Sequence, residues 1–131
     1  MGLGTYVYPV NVTVPAGTPT SVPVTTTPNL GWVWLDSVEL RIPSGHCGLT
    51  GIHAANSGTQ LFPYSETVSY LVGDDERLIF DIGQEFDTGL QIVTYNTDVF
   101  SHTFYLRFSG RPMAVVTATT PSAPATIVPV S

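Results

Sequence analysis

Apolar and polar residues alternate along most of the chain with a period of two. In the first segment every even-numbered residue from Tyr6 to Val14 is apolar, and Asn11 and Thr13 lie between them. Such alternation is typical of a β-strand that buries one face. A second extended segment is predicted at 21–25, where Pro23 cannot donate a ladder hydrogen bond and so favours a sheet edge. We interpret residues 1–28 as an N-terminal extended hairpin that joins the main domain.

The same alternation predicts a long strand that begins near Trp32. One face of this strand carries Trp32, Trp34, Val38, Leu40 and Ile42. Asp36 interrupts that face, and an unpaired buried carboxylate would be costly. We therefore expect a partner for Asp36, or a β-bulge that turns it outward.

The last predicted strand, at 100–108, has the most regular pattern in the chain. One face carries Phe100, His102, Phe104, Leu106 and Phe108. His102 is expected to be a neutral, hydrogen-bonded core histidine. Asp36 could be its partner across the core.

Further short strands are predicted at 47–54, 59–63, 77–82 and 90–95. Turn sequences separate them, and an acidic loop is predicted at 83–89. About eight short strands without helical periodicity indicate an all-β fold: an antiparallel two-sheet β-sandwich that could be a jelly roll. A chain of 131 residues has room for one domain. We predict the sandwich at 1–111 and an extended Pro/Thr-rich C-terminal arm at 112–131.

Charged residues are scarce and unevenly placed. Only 11% of residues are charged, the net charge is -6, and the four basic residues are all arginine. The charged residues fall between Asp36 and Arg111, so both flanks are expected to pair into the sheet or to lie against a neighbouring subunit. Few cations on an acidic chain disfavour nucleic-acid binding, and no apolar run approaches the roughly 18 residues of a membrane span.

Histidine, cysteine and serine do not form a recognisable catalytic or zinc-binding set. His46, Cys47 and His53 lack the spacing of zinc ligands, so we expect a buried thiol beside exposed histidines. No Gly-x-Ser-x-Gly sequence indicates a hydrolase. We predict that the chain is not an enzyme.

A group of acidic residues invites two further ideas, calcium binding and a glycosidase carboxylate pair. The spacing does not match an EF-hand, and clustering on one loop does not indicate two facing carboxylates. We expect a solvated acidic rim, with no metal and no cofactor. Its members are Asp74, Asp75, Glu76, Asp81, Glu85 and Asp87.

Aromatic and aliphatic residues are the main candidates for binding. A sugar-stacking platform could be formed by Trp32, Trp34, Tyr6, Tyr8 and Tyr105. The strand parity of the two tryptophans favours the core or a subunit interface instead. The C-terminal arm offers more apolar surface that could dock on a neighbour. The candidate interface residues are Trp32, Trp34, Met113, Val115, Val116, Ile127 and Val128.

Three segments between Ile42 and Arg111 carry a family resemblance. They read IPSGHCGLTGIHAANSGTQLFP, GDDERLIFDIGQEFDTGL and YNTDVFSHTFYLRF. They resemble small virion proteins of tailed bacteriophages. The resemblance implies a non-enzymatic β-sandwich in the virion, either a capsid decoration or minor capsid protein, or a neck or tail protein. Its partners would be major capsid or neck/tail subunits and copies of itself in a homo-oligomer. A receptor- or glycan-binding module is the alternative.

Overall fold

The structure is a computed structural model and describes residues 5–63 and 69–113. This part of the chain contains strands and no helix, and hence no helix that could cross a membrane. The predicted all-β class is confirmed. The strands are β1 (Tyr6–Val14), β2 (Val24–Thr26), β3 (Val33–Ile42), β4 (Thr50–Asn56), β5 (Thr59–Phe62), β6 (Glu76–Phe86), β7 (Leu90–Asn96) and β8 (His102–Pro112).

The strands form two four-stranded antiparallel sheets. Sheet 1 has the order β1-β8-β3-β6, and sheet 2 has the order β2-β7-β4-β5. The pairs are nested, because β4 pairs with β5, β3 with β6, β2 with β7 and β1 with β8. This is the order obtained when one long hairpin folds over into two sheets, as in a jelly roll. The β-sandwich prediction is confirmed, and its topology is a jelly roll.

The innermost pair, β4 and β5, is joined by a two-residue turn. Ser57 and Gly58 have φ of 51° and 92°. A type I′ hairpin turn requires positive φ at both central residues, and glycine adopts it without steric cost. The sequence Asn56-Ser57-Gly58 therefore forms the turn that it predicted.

The first two strands do not pair with each other as the predicted N-terminal hairpin requires. The loop between them is hydrogen-bonded to the end of β7 and the loop that follows it. Thr18 forms a bridge with Asn96, and the Gly17 N–H donates to the carbonyl of Asp98. These contacts hold the loop in which the chain passes from sheet 1 to sheet 2. β2 lies at the edge of its sheet, as Pro23 predicted.

The core lies between the two sheets and is built from inward-facing residues of both. Burial increases along β1 from the exposed Tyr6 to the fully buried Val14. Phe62 of sheet 2 and Phe104 and Phe108 of sheet 1 are fully buried. Burying one such side chain contributes about 1.5–3 kcal/mol, so these aromatic residues are principal contributors to stability.

A β-bulge in β3 sets the direction of its side chains. Leu35 pairs with Gly110 of β8, and Ser37 pairs with the next residue, Ser109. Asp36 is therefore an extra residue on β3, and its side chain is exposed. The expected bulge at Asp36 is confirmed.

The bulge also overturns the predicted inward face for Trp32 and Trp34. Val33 and Leu35 are buried before the bulge, whereas Trp34 is only partly buried and Trp32 is 38% exposed. The extra residue shifts the side-chain parity by one position, so the inward set returns to even numbers only from Val38. The tryptophans therefore belong to the surface.

Other strand boundaries also differ from the sequence prediction, and β2 begins at Val24 rather than at residue 21. β4 begins at Thr50 rather than at Cys47, because Cys47 and Gly48 have φ of 52° and 72° and belong to a turn. β6 continues to Phe86 through the predicted acidic loop, and Gly83, with φ of 63°, lies within it.

The last strand begins and ends later than predicted. Phe100 precedes β8 and is 69% exposed, so its predicted place in the core is wrong. Asn96 causes the difference, because its side-chain amide donates to the carbonyls of Val14 and Phe100 and holds residues 97–100 in a turn. At its other end β8 extends to Pro112.

Candidate functional site

Four loops meet at one end of the sandwich. Because consecutive strands run in opposite directions, the β1–β2, β3–β4, β5–β6 and β7–β8 connections share this end. Backbone hydrogen bonds join them: Thr97 N–H donates to the Leu49 carbonyl at 2.9 Å, and Gly17 N–H donates to the Asp98 carbonyl at 3.0 Å. We call residues 15–23, 43–49, 69–75 and 97–101 the loop end.

One residue of the loop end is a buried histidine. His46 is 1% exposed, and its Nε2 donates to the carbonyl of Thr103 at 3.2 Å. Its Nδ1 is hydrogen-bonded to the Thr50 hydroxyl at 2.7 Å, and the Phe104 ring lies 4.9 Å from the imidazole. Burial, followed by the nearby His102, lowers the pKa of His46. These contacts favour a neutral ring that holds the β3–β4 loop to β8.

The expectation of a buried thiol beside exposed histidines is wrong for both neighbours. Cys47 is exposed, and His46 is buried. The turn at Cys47 explains why the thiol is exposed and the histidine is buried. The positive φ at Cys47 reverses the chain and directs that side chain outward.

The His102 side chain is largely buried and forms a hydrogen bond with Asp98. Its Nε2 lies 2.8 Å from the Asp98 carboxylate. The hydrogen bond from His102, together with the Val99 N–H, lowers the pKa of Asp98. Asp36 does not meet His102, since it lies on the outer face of sheet 1. The His102–Asp98 pair therefore fastens the β7–β8 loop.

Asp74, a member of the predicted acidic rim, holds the β3–β4 loop. The Asp74 carboxylate accepts the N–H groups of Gly45 at 2.9 Å and Cys47 at 3.0 Å. These bonds lower its pKa, the bond from Cys47 most strongly. Within residues 5–63 and 69–113, no group of three or more histidine, cysteine or acidic side chains could hold a metal ion.

The loop end carries several large apolar side chains that water reaches. The exposed residues are Val22 at 69%, Leu49 at 40%, Val72 at 44%, Val99 at 78% and Phe100 at 69%. Sequence reasoning missed this surface, because it assigned Phe100 to the inward face of a strand, placed Val22 and Leu49 in other strands, and left Val72 and Val99 unassigned.

The outer face of sheet 1 carries all four arginines of the chain. Arg41 lies on β3, Arg77 on β6, and Arg107 and Arg111 on β8. The strands of sheet 2 contain no charged residue. The two faces of the sandwich therefore differ sharply in charge.

The two tryptophans lie near one end of this outer face. Trp34 Nε1 donates to Asp36 at 2.9 Å, and the Arg111 guanidinium lies 5.6 Å from the centre of the Trp34 ring. Arg111 also lies 3.7 Å from the Asp36 carboxylate, and Trp32 Nε1 donates to Glu85. Trp34 is therefore engaged by a cation and a carboxylate of its own chain.

The other candidate binding residues do not join the tryptophans on one surface. Tyr6 and Tyr8 stand at inward positions of β1, whereas Tyr105 stands at an outward position of β8, so the five-residue sugar platform is not assembled. Met113 is half-buried, and its N–H donates to the Trp32 carbonyl at 2.9 Å. The candidates Val115, Val116, Ile127 and Val128, with the rest of the predicted arm beyond Met113, lie outside the described residues.

A groove of about 660 Å³ lies on the outer face of sheet 1, on the side away from the tryptophans. The strand register places most of the lining residues in two rows that cross the sheet. One row aligns Asn11, Tyr105, Arg41 and Arg77, and the next aligns Pro9, Arg107 and Glu39. Leu106 completes the lining.

Comparisons with known proteins give no family assignment. No protein-family model matches the chain, and no curated protein matches it. Among solved structures, the chain is similar to one described as "Bacillus endospore appendages form a novel family of disulfide-linked pili". The TM-score is 0.47 and the sequence identity 12%, with 85% of this chain and 89% of that chain covered. At this level the similarity does not bear on function.

Proposed function

We propose that the chain is a non-enzymatic structural subunit of a tailed-phage virion, which binds neighbouring virion proteins and copies of itself to decorate or stabilise the capsid. The observation that carries this proposal is the loop end, where hydrogen bonds hold the backbone and several apolar side chains are exposed. Several exposed apolar side chains gathered at one end of a domain are typical of a protein interaction site. A place at the neck or tail would use the same surface against a different neighbour.

The construction of the loop end favours binding. Val99 and Phe100 are 78% and 69% exposed, so contact with a neighbour would remove most of their apolar surface from water. Hydrogen bonds already order the loops that carry them. Association would then lose little conformational entropy in these loops.

Three polar side chains at or next to the loop end form structural contacts. His46, His102 and Asp74 each hold one loop to another element. The jelly-roll order is compatible with a virion role, since viral capsid domains use it, but lectin domains use it as well. The contacts of the loop end, rather than the fold, therefore support the proposal.

The proposal is tested by a matched pair of surface variants. Phe100→Ser removes an apolar side chain from the loop end, and Ile79→Ser removes an equally exposed one, also at 69%, from the outer face of sheet 1. We expect both variants to melt like the wild type. Self-association in analytical ultracentrifugation, and incorporation into particles detected by labelled electron microscopy, should fall only for Phe100→Ser. Equal behaviour of the two variants would contradict the role of the loop end.

A further inference from the structure

We propose that the groove on the outer face of sheet 1 binds an acidic saccharide and holds its carboxylate between Arg41 and Arg77. The groove lies on a different surface from the loop end. This inference therefore goes beyond the structural role and stands or falls independently of it.

The groove contains an unfavourable arrangement of charge that a ligand could relieve. Arg41 and Arg77 are direct cross-strand partners on β3 and β6. Like charges at directly opposite positions destabilise a sheet. An anion placed between the two guanidinium groups would turn this repulsion into two attractions.

The carboxylates of the chain compensate these arginines incompletely. Glu39 pairs with Arg77, and Asp75 lies 3.8 Å from Arg41 with both of those side chains more than half exposed. An exposed pair at that distance contributes little. Among the described residues, no carboxylate forms an ion pair with Arg107. The lining thus has three cations and one anion, in a chain whose net charge is -6.

The chemistry of arginine favours a carboxylate as the bound group. The planar guanidinium donates two parallel hydrogen bonds to the two oxygens of a carboxylate. A densely charged polyphosphate fits less well, because Glu39 lies within the lining and the acidic chain as a whole repels a polyanion. The ligand should therefore carry few, separated negative charges.

The position of the groove favours a saccharide over a peptide. Extended peptides gain affinity by pairing with the free main chain of a sheet edge. The groove instead crosses the outer face of sheet 1 from β1 to β6, over the central strands β8 and β3, which are paired on both sides. Recognition there depends on side chains alone.

The remaining lining residues suit a sugar. The Asn11 amide and the Glu39 carboxylate can hydrogen-bond to hydroxyl groups. The Tyr105 ring is 44% exposed and offers an apolar surface to the C–H face of a sugar ring. The volume of about 660 Å³ lies within the range of small-molecule sites, roughly 300–1,000 Å³.

Isothermal titration calorimetry tests the inference with matched probes. Trigalacturonic acid and sialyllactose supply uronic and sialic carboxylates, and their neutral counterparts, a galactose trisaccharide and lactose, lack them. We expect one acidic probe to bind about tenfold or more tightly than its neutral counterpart, with an affinity that falls as salt rises. Which acidic probe binds identifies the source of the carboxylate. Binding of a pentaglutamate peptide in preference to both acidic sugars would overturn the saccharide assignment.

Variants locate the site. Arg41→Gln and Arg77→Gln should each weaken binding of the acidic probe about tenfold. Arg111→Gln removes an arginine of the same face outside the groove and should leave binding unchanged. Circular dichroism establishes that each variant is folded, and two groove variants are used so that a folding defect in one leaves the other decisive. Equal binding by all three variants, or no binding of either acidic probe at millimolar concentration, would overturn the proposal.

Discussion

The imidazole rings of His46 and His102 lie 4.4 Å apart, centre to centre, with their planes inclined by 38°. His46 comes from the β3–β4 loop and His102 is the first residue of β8, so the contact joins two elements at the loop end. A proton on one ring opposes a proton on the other, and this repulsion adds to the effect of burial in lowering the pKa of His46. The stability of this end of the sandwich should therefore depend on pH.

The first prediction concerns that dependence. Because the pKa of His46 is below 6.5 in the folded chain, the unfolded chain binds a proton first as the pH falls. The free energy of unfolding should then be highest above pH 6.5 and should decrease below it, until the folded-state pKa is reached. Denaturant unfolding between pH 8 and about pH 5 measures this.

Two variants assign the effect to its residue. His46→Gln removes the titrating group and should flatten the pH dependence, although it also lowers stability at pH 8 by disturbing the buried hydrogen bonds. Burial lowers the pKa of His53 as well, so His53→Gln should remove a separate part of the slope. An unchanged slope in His46→Gln would refute the assignment.

The second prediction concerns the bulge in β3. Deleting Asp36 removes the extra residue and keeps Val33, Leu35 and Val38 on the inward parity relative to β8. Deleting Glu39, which lies in a regular part of the strand, moves every inward residue on one side of the deletion to the outer face. We expect the first variant to melt cooperatively at a lowered temperature and the second to show no cooperative transition. Similar melting curves would show that the bulge does not set the register.

The third prediction compares two phenylalanines that the sequence placed on one face. Phe104 is fully buried and Phe100 is 69% exposed. Phe104→Ala should therefore cost about 3–5 kcal/mol of stability. Phe100→Ala should change it by no more than about 0.5 kcal/mol. Chemical denaturation measures both, and a large loss for Phe100→Ala would place that ring in the core.

The fourth prediction concerns the C-terminal segment. Pro112 pairs with Val33, and the Met113 N–H donates to the Trp32 carbonyl, so a truncation should retain both residues. Deleting 114–131 should leave the sandwich folded, because the inward residues of β8 end before that point. If the apolar residues of this segment dock on a neighbour, incorporation into particles should fall.

Circular dichroism and co-sedimentation with particles separate the possible outcomes. A folded variant with reduced incorporation supports the arm as an attachment segment. Full incorporation would assign attachment to the sandwich surface alone.

Alternation alone predicted much of the fold. The inward sets of β1 and most of β8 follow directly from the period of two, as the buried Val12, Val14, Phe104, Leu106 and Phe108 show. In such segments the local sequence alone indicates which residues face the core. Trp32 and Trp34 were misplaced because one extra residue at Asp36 reverses the parity of everything before it, and two adjacent polar residues, Asp36 and Ser37, are its only local signal.

The candidate sites could not be predicted in this way. Arg41, Arg77 and Arg107 are far apart in sequence and meet only through the register of β3 with β6 and β8. The alternation of apolar and polar residues does not predict which residues of neighbouring strands are paired. The exposure of Phe100 likewise depends on the hydrogen bonds of Asn96, which join β7 to the end of β1 and to the β7–β8 loop.

The nested order of the strands has a consequence for folding kinetics. The two-residue turn lets β4 and β5 meet early, but each outer pair must close a longer loop, and the outermost pair brings Tyr6 to Gly110. Loop closure becomes entropically more costly with length, and folds dominated by such distant pairs fold in about milliseconds to seconds. The pairing of β1 with β8 should therefore form late. Until it forms, the long edge of β8 stays open to another chain, so the interval before closure is when a neighbour could take the place of β1.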